Sequence, residues 1–214
     1  VGNVRQVLVS ELSGVSNIAA TLGEKYQINK DRETLRRVLL RVQDLENAGY
    51  QFEAAGASLD LLIREELGLR KQFWALDHFR CVILKAVNGI HTTEAIVKMA
   101  VGDSLEHQVS EGDGPVDALN RGLRKCLEHH YPDLCHVHLR DYKVRVVNAQ
   151  AETAAKVRVI MDFSVTDSQR HHVGHFSTIG VSENIVDASW QAITEALEYH
   201  LLESEAATLQ NASA

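Results

Sequence analysis

The chain is short of basic charge. Its 214 residues carry 22 Lys and Arg against 29 Asp and Glu, a net charge of −7. A nucleic-acid or anionic-membrane surface needs a basic footprint, so neither partner is expected. No apolar run approaches the roughly 20 residues that cross a bilayer, and no basic-then-apolar leader stands at the start. Starting at Val1 rather than Met, the chain reads as a fragment or a processed piece. Only three cysteines are present, Cys81, Cys126 and Cys135, without paired spacing. They read as reduced thiols of a cytoplasmic protein.

Recognisable catalytic frames are also missing. No Gly-rich phosphate loop with its Lys follows a strand into a helix, and there is no nucleophile elbow or His/Cys pair in a catalytic arrangement. His171, His172 and His175 cluster in sequence but fall in an expected strand, where neighbouring side chains point to opposite faces. A metal site needs converging ligands with supporting partners, so no metal ligands and no catalytic residues are assigned. His129-His130 ends an expected helix, where imidazolium suits the dipole.

What is present, at 45% hydrophobic and 24% charged residues, suits a globular chain with a core. A first short helix, capped by Ser16 or Asn17, is expected to run through Tyr26. Residues 31–48 carry Leu35, Val38, Leu39, Val42 and Leu45 on one helical stripe, with Asp31 as cap and Gly49 as stop. A further helix is expected over 50–68. At residue 72 the period changes from 3.6 to 2, opening strands at 73–85, 91–101 and 104–110, with Asn88-Gly89 as a hairpin turn. A helix from Pro115 to about His130 follows.

That plan is then repeated. Val116-Asp117-Ala118 returns as Val186-Asp187-Ala188 and Leu127-Glu128 as Leu197-Glu198, both 70 residues later. Thr93–Lys98 lines up with Thr153–Arg158 at an offset of 60. Strands are expected at about 136–148, 152–166 and 171–181, and a helix from about Asn184 to Leu202. The fold class is α+β: a helical linker subdomain over 1–70, then two βββα repeats at about 71–131 and 135–204, with 205–214 as a flexible tail. Sheets covered on one face leave open edges and faces, which predicts a homodimer.

One loop carries chemistry of its own. In Gly112-Asp113-Gly114 the glycines allow close backbone approach or a tight turn. Free amides at the following helix start favour a carboxylate, and Asp113 suits an ammonium. That set fits an amino acid, and a strand-to-helix turn with no ligand accounts for it as well.

Several stretches together resemble a known family. Glu111-Gly112-Asp113-Gly114-Pro115-Val116-Asp117-Ala118, Asp141-Tyr142-Lys143-Val144-Arg145, Thr153-Ala154-Ala155-Lys156-Val157-Arg158-Val159 and Gly180-Val181-Ser182-Glu183-Asn184-Ile185 are similar to the C-terminal regulatory domain of 2-isopropylmalate synthase and citramalate synthase. Arg5–Asn17 and Gly49–Ala55 resemble the subdomains behind the catalytic barrel, in wording nearer the citramalate branch. The resemblance implies an acyltransferase that condenses acetyl-CoA with a 2-keto acid, pyruvate in the citramalate branch. It places a divalent metal and acetyl-CoA in an N-terminal (β/α)8 barrel that this chain lacks, so the chain alone is expected to be inactive. It implies feedback by a branched-chain amino acid, isoleucine or alternatively leucine, acting on that barrel. Carried onto matching motifs, the effector residues are Gly112, Asp113 and Gly114 in the loop, Tyr142 and Val146 in one strand, and Thr153 and Val157 in the next. Ile179 and Val181 join them at the apolar end. Gly-Asp-Gly here departs from the commoner Gly-Asn-Gly. A free-standing amino-acid-binding or dimerisation module is the alternative from another class.

Overall fold

A computed structural model describes residues 25–26, 31–87, 89, 91–147 and 155–212. The Ser16 or Asn17 cap, Asn88 of the hairpin turn and Thr153 lie outside the described residues.

Helix α1 (Arg32–Ala48) starts where Asp31 accepts the amides of Glu33 and Thr34 at 3.0 and 3.2 Å. It ends at Gly49, whose φ of 115° lies in the left-handed region that the stop requires. The next helix begins later than its sequence suggests. Gln51 and Ala55 both leave the helical region, with Phe52–Ala54 as a 3-10 turn between them, and α2 spans Gly56–Glu66. Phe52 is buried, so its packing rather than local propensity sets this break.

Two three-stranded antiparallel sheets follow, each closed by a helix. The first holds β1 (Ala75–Lys85), β2 (His91–Val101) and β3 (Ser104–Gly112), covered by α3 (Pro115–Leu127). The second holds β4 (Val137–Val146), β5 (Val157–Thr166) and β6 (His172–Ser182), covered by α4 (Ile185–Ala212). This is the expected α+β class with a duplicated βββα module. Alternation explains the burial: Ala95, Val97, Met99 and Val101 of β2 face the Ala118, Leu119, Leu123, Cys126 and Leu127 stripe of α3. Val159, Met161 and Phe163 face α4 in the same way, and the two modules share one core, with the Phe79 and Trp190 rings tilted by 32° at 4.8 Å between centres.

The repeat is not aligned as the sequence suggests in its middle strand. Thr93 pairs with Gly112, and Val157 pairs with Ser182. Val157, not Thr153, therefore stands in the place of Thr93. The longer turn between β5 and β6, held by the Asp167 carboxylate on the amides of Gln169 and His171, absorbs the difference. The shift is even, so each side chain keeps its face. Residues 205–214 read as a tail, yet α4 continues through Ala212. Nothing in Ser204–Ala212 breaks a helix, and Ala, Glu, Leu and Gln favour one.

The helical unit packs on the second sheet. Val38, Val42, Phe52, Ala55, Leu59, Leu62 and Ile63 form a small core with Ile160 and Ile179, against which Val181 packs. These strand residues lie on the face opposite α4. The second sheet is thus covered on both sides, and fully burying a side chain such as Ile63 contributes roughly 1.5–3 kcal/mol.

Candidate functional site

The loop between β3 and α3 is tightly built at its first glycine and open at its last. A Cβ on Gly112 would meet the backbone nitrogen of Ala118 at 2.4 Å. The Asp113 amide donates to the Asp117 carboxylate at 3.0 Å, and Arg121 holds that carboxylate from the next turn at 2.9 Å. Gly114 caps α3 with extended backbone, φ −167° and ψ 175°, with nothing within 4 Å of where its Cβ would stand.

The two copies of this loop differ in one atom set. In the second module Asn184 occupies the cap position, and its side chain accepts the Val186 amide at 2.8 Å. Gly114 has no side chain to do this. Among the described residues, the Val116 and Asp117 amides at the start of α3 have no partner, while Pro115 carries none. The first module therefore leaves unpaired, at Val116, the helix-start donor that the second pairs at Val186 through its cap. Comparing the repeats by sequence shows the Gly-for-Asn exchange but not the geometry.

Tyr142, Val146 and Val157 come together. Tyr142 pairs across the ladder with Met161, and Val146 with Val157, so all three share the α4-facing side of the second sheet. The Tyr142 hydroxyl is 3.0 Å from Ser189 Oγ. Ser189 itself donates to the Ile185 carbonyl, so the phenol donates to Ser189. Val146 is 58% exposed and Val144 38%, an apolar strip that α4 leaves uncovered. Ile179 and Val181 stand on the other side of the sheet, beneath the helical unit, and Ile179 is fully buried there. The alternation of β6 separates them from the Tyr142 face.

The histidines go elsewhere. His130 pairs with Glu106 at 2.9 Å, and His171 with Asp167 at 3.3 Å. Among the described residues, no group of three or more His, Cys, Asp or Glu side chains is placed to hold a metal ion.

Residues 53–201 match the family described as LeuA allosteric (dimerisation) domain. The chain belongs to the LeuA allosteric domain family. It is 42% identical over 207 residues to an (R)-citramalate synthase of Aquifex aeolicus, covering 96% of this chain and 38% of that protein. It is 44% identical over 209 residues to an (R)-citramalate synthase of Geobacter sulfurreducens, again covering 96% and 38%. A 2-isopropylmalate synthase of Nitrosomonas europaea is 32% identical over 124 residues, 58% of this chain and 23% of that protein. The chain thus spans a little over a third of the citramalate synthases it resembles.

The LeuA domain match begins inside the helical unit, and the junction between that unit and α4 contains an unusual carboxyl. The Ile179 amide donates to Ser58 Oγ at 2.9 Å, and the Ser58 hydroxyl donates to Glu195 of α4. Burial pushes the Glu195 carboxyl up to about 7, against the opposing pull of Ser58 and Arg70. Glu198 and Glu65 add to the upward push. A carboxyl whose folded value exceeds its unfolded one favours folding while protonated. That contribution is whole below about pH 4.5 and is lost as pH rises through about 7. Glu195→Gln keeps an acceptor for Ser58 without the charge. It is expected to match the parent at pH 4 and to exceed it by on the order of 1 kcal/mol at pH 8, the residue being only half-buried as a whole. Thermal melts of both proteins across that range check it, and a difference independent of pH would refute the assignment.

Proposed function

We propose that this chain is the linker and regulatory part of an acyltransferase of the citramalate synthase type. That enzyme condenses acetyl-CoA with pyruvate to (R)-citramalate, and this part binds a branched-chain amino acid as feedback inhibitor. The observation that carries the reading is the contrast in coverage and identity: citramalate synthases align over 96% of the chain at 42 and 44% identity, and the isopropylmalate synthases over 58 and 66% of it at 32 and 27%. The divalent metal and acetyl-CoA belong, on this reading, to a catalytic barrel encoded with this chain but not part of it.

The effector's carboxylate would take the unpaired Val116 and Asp117 amides, and its ammonium the exposed Asp113 carboxylate. Val146 and Val157, with Tyr142, would offer the apolar wall, with a second copy of the chain bringing such a face to the loop. A dimer supports this reading, because the strands that begin each module carry uncovered apolar residues on their helix-facing side. These are Leu76 and Ile83 in β1, and Leu139, Val144 and Val146 in β4. A second copy seated there would cover them and close the wall. No described helix is long and apolar enough to cross a membrane.

Calorimetric titration of the purified chain tests the proposal. Isoleucine is expected to bind, and Gly114→Val to weaken it at least tenfold, about 1.4 kcal/mol, by filling the open space beside the amides. Tyr142→Ala should weaken binding less. A preference for leucine would move the reading to the isopropylmalate branch, since one displaced methyl changes affinity by about 1–3 kcal/mol. A folded dimer that binds none of isoleucine, leucine and valine would overturn the effector reading and leave a dimerisation module.

A further inference from the structure

We infer that Arg158 is the positioning residue through which occupancy of the Tyr142–Val146–Val157 face is transmitted to the helical unit on the opposite side of the sheet. The inference rests on the effector reading above and names the route of its regulation.

The route is set by the alternation of β5. Val157 and Val159 point to the α4 side, so Arg158 between them points to the other. Its Nε donates to the Gly49 carbonyl at 2.5 Å, and its Nη1 to Gln51 Oε1 at 2.7 Å. One side chain thus grips the turn that joins α1 to α2 across 109 residues of chain. The turn has little room to slip. Gly49 has a left-handed φ of 115°, and a Cβ there would stand 2.8 Å from Val147 Cγ1 and 3.3 Å from Val181 Cγ1. Val147 in turn donates its amide to the Lys156 carbonyl at 2.9 Å, next to the terminal Val146–Val157 pair. The end of the β4–β5 ladder, where the apolar wall lies, is therefore the piece of sheet that the Gly49 turn rests on.

Charge argues that the grip is specific. The cross-strand partner of Arg158 is Arg145, and like charges placed opposite each other are unfavourable. Directing the Arg158 guanidinium onto a carbonyl and an amide oxygen uses its fixed fork of donors and draws it toward the turn. A ligand that displaces Val157 by even part of an ångström moves the next residue with it, because the strand is stiff and paired on both sides in this region. The Gly49 carbonyl and Gln51 follow. Strain is carried by contiguous packed and hydrogen-bonded groups of this kind.

Hydrogen exchange over residues 46–55 of the whole 214-residue chain, measured with and without saturating isoleucine or leucine, tests this. In the parent, ligand is expected to change exchange there at least threefold. Arg158→Met should bind the ligand at least as tightly, because coupling that is removed no longer opposes binding, yet show less than half of that change. Arg158→Lys should recover part of it. If Arg158→Met does not fold, Gln51→Ala, which removes one of the two bonds from the other side, must lower the response by itself. A full response in Arg158→Met or Gln51→Ala would overturn the route. Loss of binding in a folded Arg158→Met would place Arg158 in the binding site and also overturn it. A parent that binds neither amino acid sinks the inference together with the effector reading, whereas binding without any change over 46–55 sinks the inference alone.

Discussion

Replacing Asp60 with Ala is expected to lower the stability of the chain by about 3 kcal/mol, the low end for removing one partner of a buried ion pair. Asp60 sits on α2 with its side chain 3% exposed, and Arg64, one turn on, is 8% exposed. The carboxylate accepts from Arg64 Nε at 3.2 Å and from Lys25 Nζ at 2.9 Å, and the Tyr26 hydroxyl donates to it as well. Burial alone would raise the Asp60 carboxyl, but hydrogen bonds from Arg64, Tyr26 and Lys25 outweigh it and hold the group below its ordinary value. Ala would leave the Arg64 guanidinium buried, with the half-exposed Glu203 as its remaining carboxylate. That residual pairing is why the loss is placed at about 3 rather than about 5 kcal/mol. For a chain of this length the melting temperature should fall by roughly 6–12 °C at neutral pH. The sign with pH is opposite to that at Glu195. A carboxyl with a lowered folded value stabilises above its unfolded value and loses that contribution as pH falls through the folded one. The gap between parent and Asp60→Ala should therefore narrow in acid. A loss under 1 kcal/mol at pH 7 would show that the cluster contributes little to holding α2, the Lys25–Tyr26 segment and α4 together.

This cluster also marks where sequence reading stops. The period change at residue 72, the Asp31 cap, the Gly49 stop and the doubled βββα order are local or repeated signals, and all are legible in the chain. The long-range choices are not. Alternation states that Ile179 and Thr178 face opposite ways, but not which side receives α4 and which receives α1 and α2. In the structure Thr178 donates to Ala192 of α4, and Ile179 lies in the small core of the helical unit. A family motif can therefore place Ile179 and Val181 in one list with Tyr142, though the sheet stands between them. The offset of the middle strands is hidden in the sequence for a related reason. Small and β-branched residues recur every second position, so an even slip leaves the pattern intact, and only the pairings of Thr93 and Val157 reveal it. The one site feature that a repeat comparison could find, Gly114 where the second copy has Asn184, becomes meaningful only once Asn184 is seen to cap its helix.

Two glycines in the same loop should respond in opposite ways, and this separates fold from ligand. Gly112→Ala puts a Cβ 2.4 Å from the Ala118 nitrogen and 2.8 Å from its Cα, both backbone atoms that cannot rotate aside. Relief requires α3 to move away from β3. The residues behind Ala118 on that helix, Leu119, Leu123 and Leu127, are all fully buried, so no direction of movement is free of cost. Overpacking of this kind costs typically 1–3 kcal/mol, and the upper end is expected here because backbone is the obstacle. Gly114→Ala meets no atom within 4 Å and keeps an extended backbone that any residue adopts, so its effect on stability should stay within about 0.5 kcal/mol. Urea unfolding of both variants measures the pair. If Gly112→Ala proved neutral, the close packing of β3 on the start of α3 would not hold in solution. If Gly114→Ala proved as damaging as Gly112→Ala, the loop would be a turn that needs both glycines for its own shape. The space beside the Val116 and Asp117 amides would then no longer argue for a ligand. A stable Gly114→Ala protein with weakened isoleucine affinity is the combination that a turn alone cannot produce.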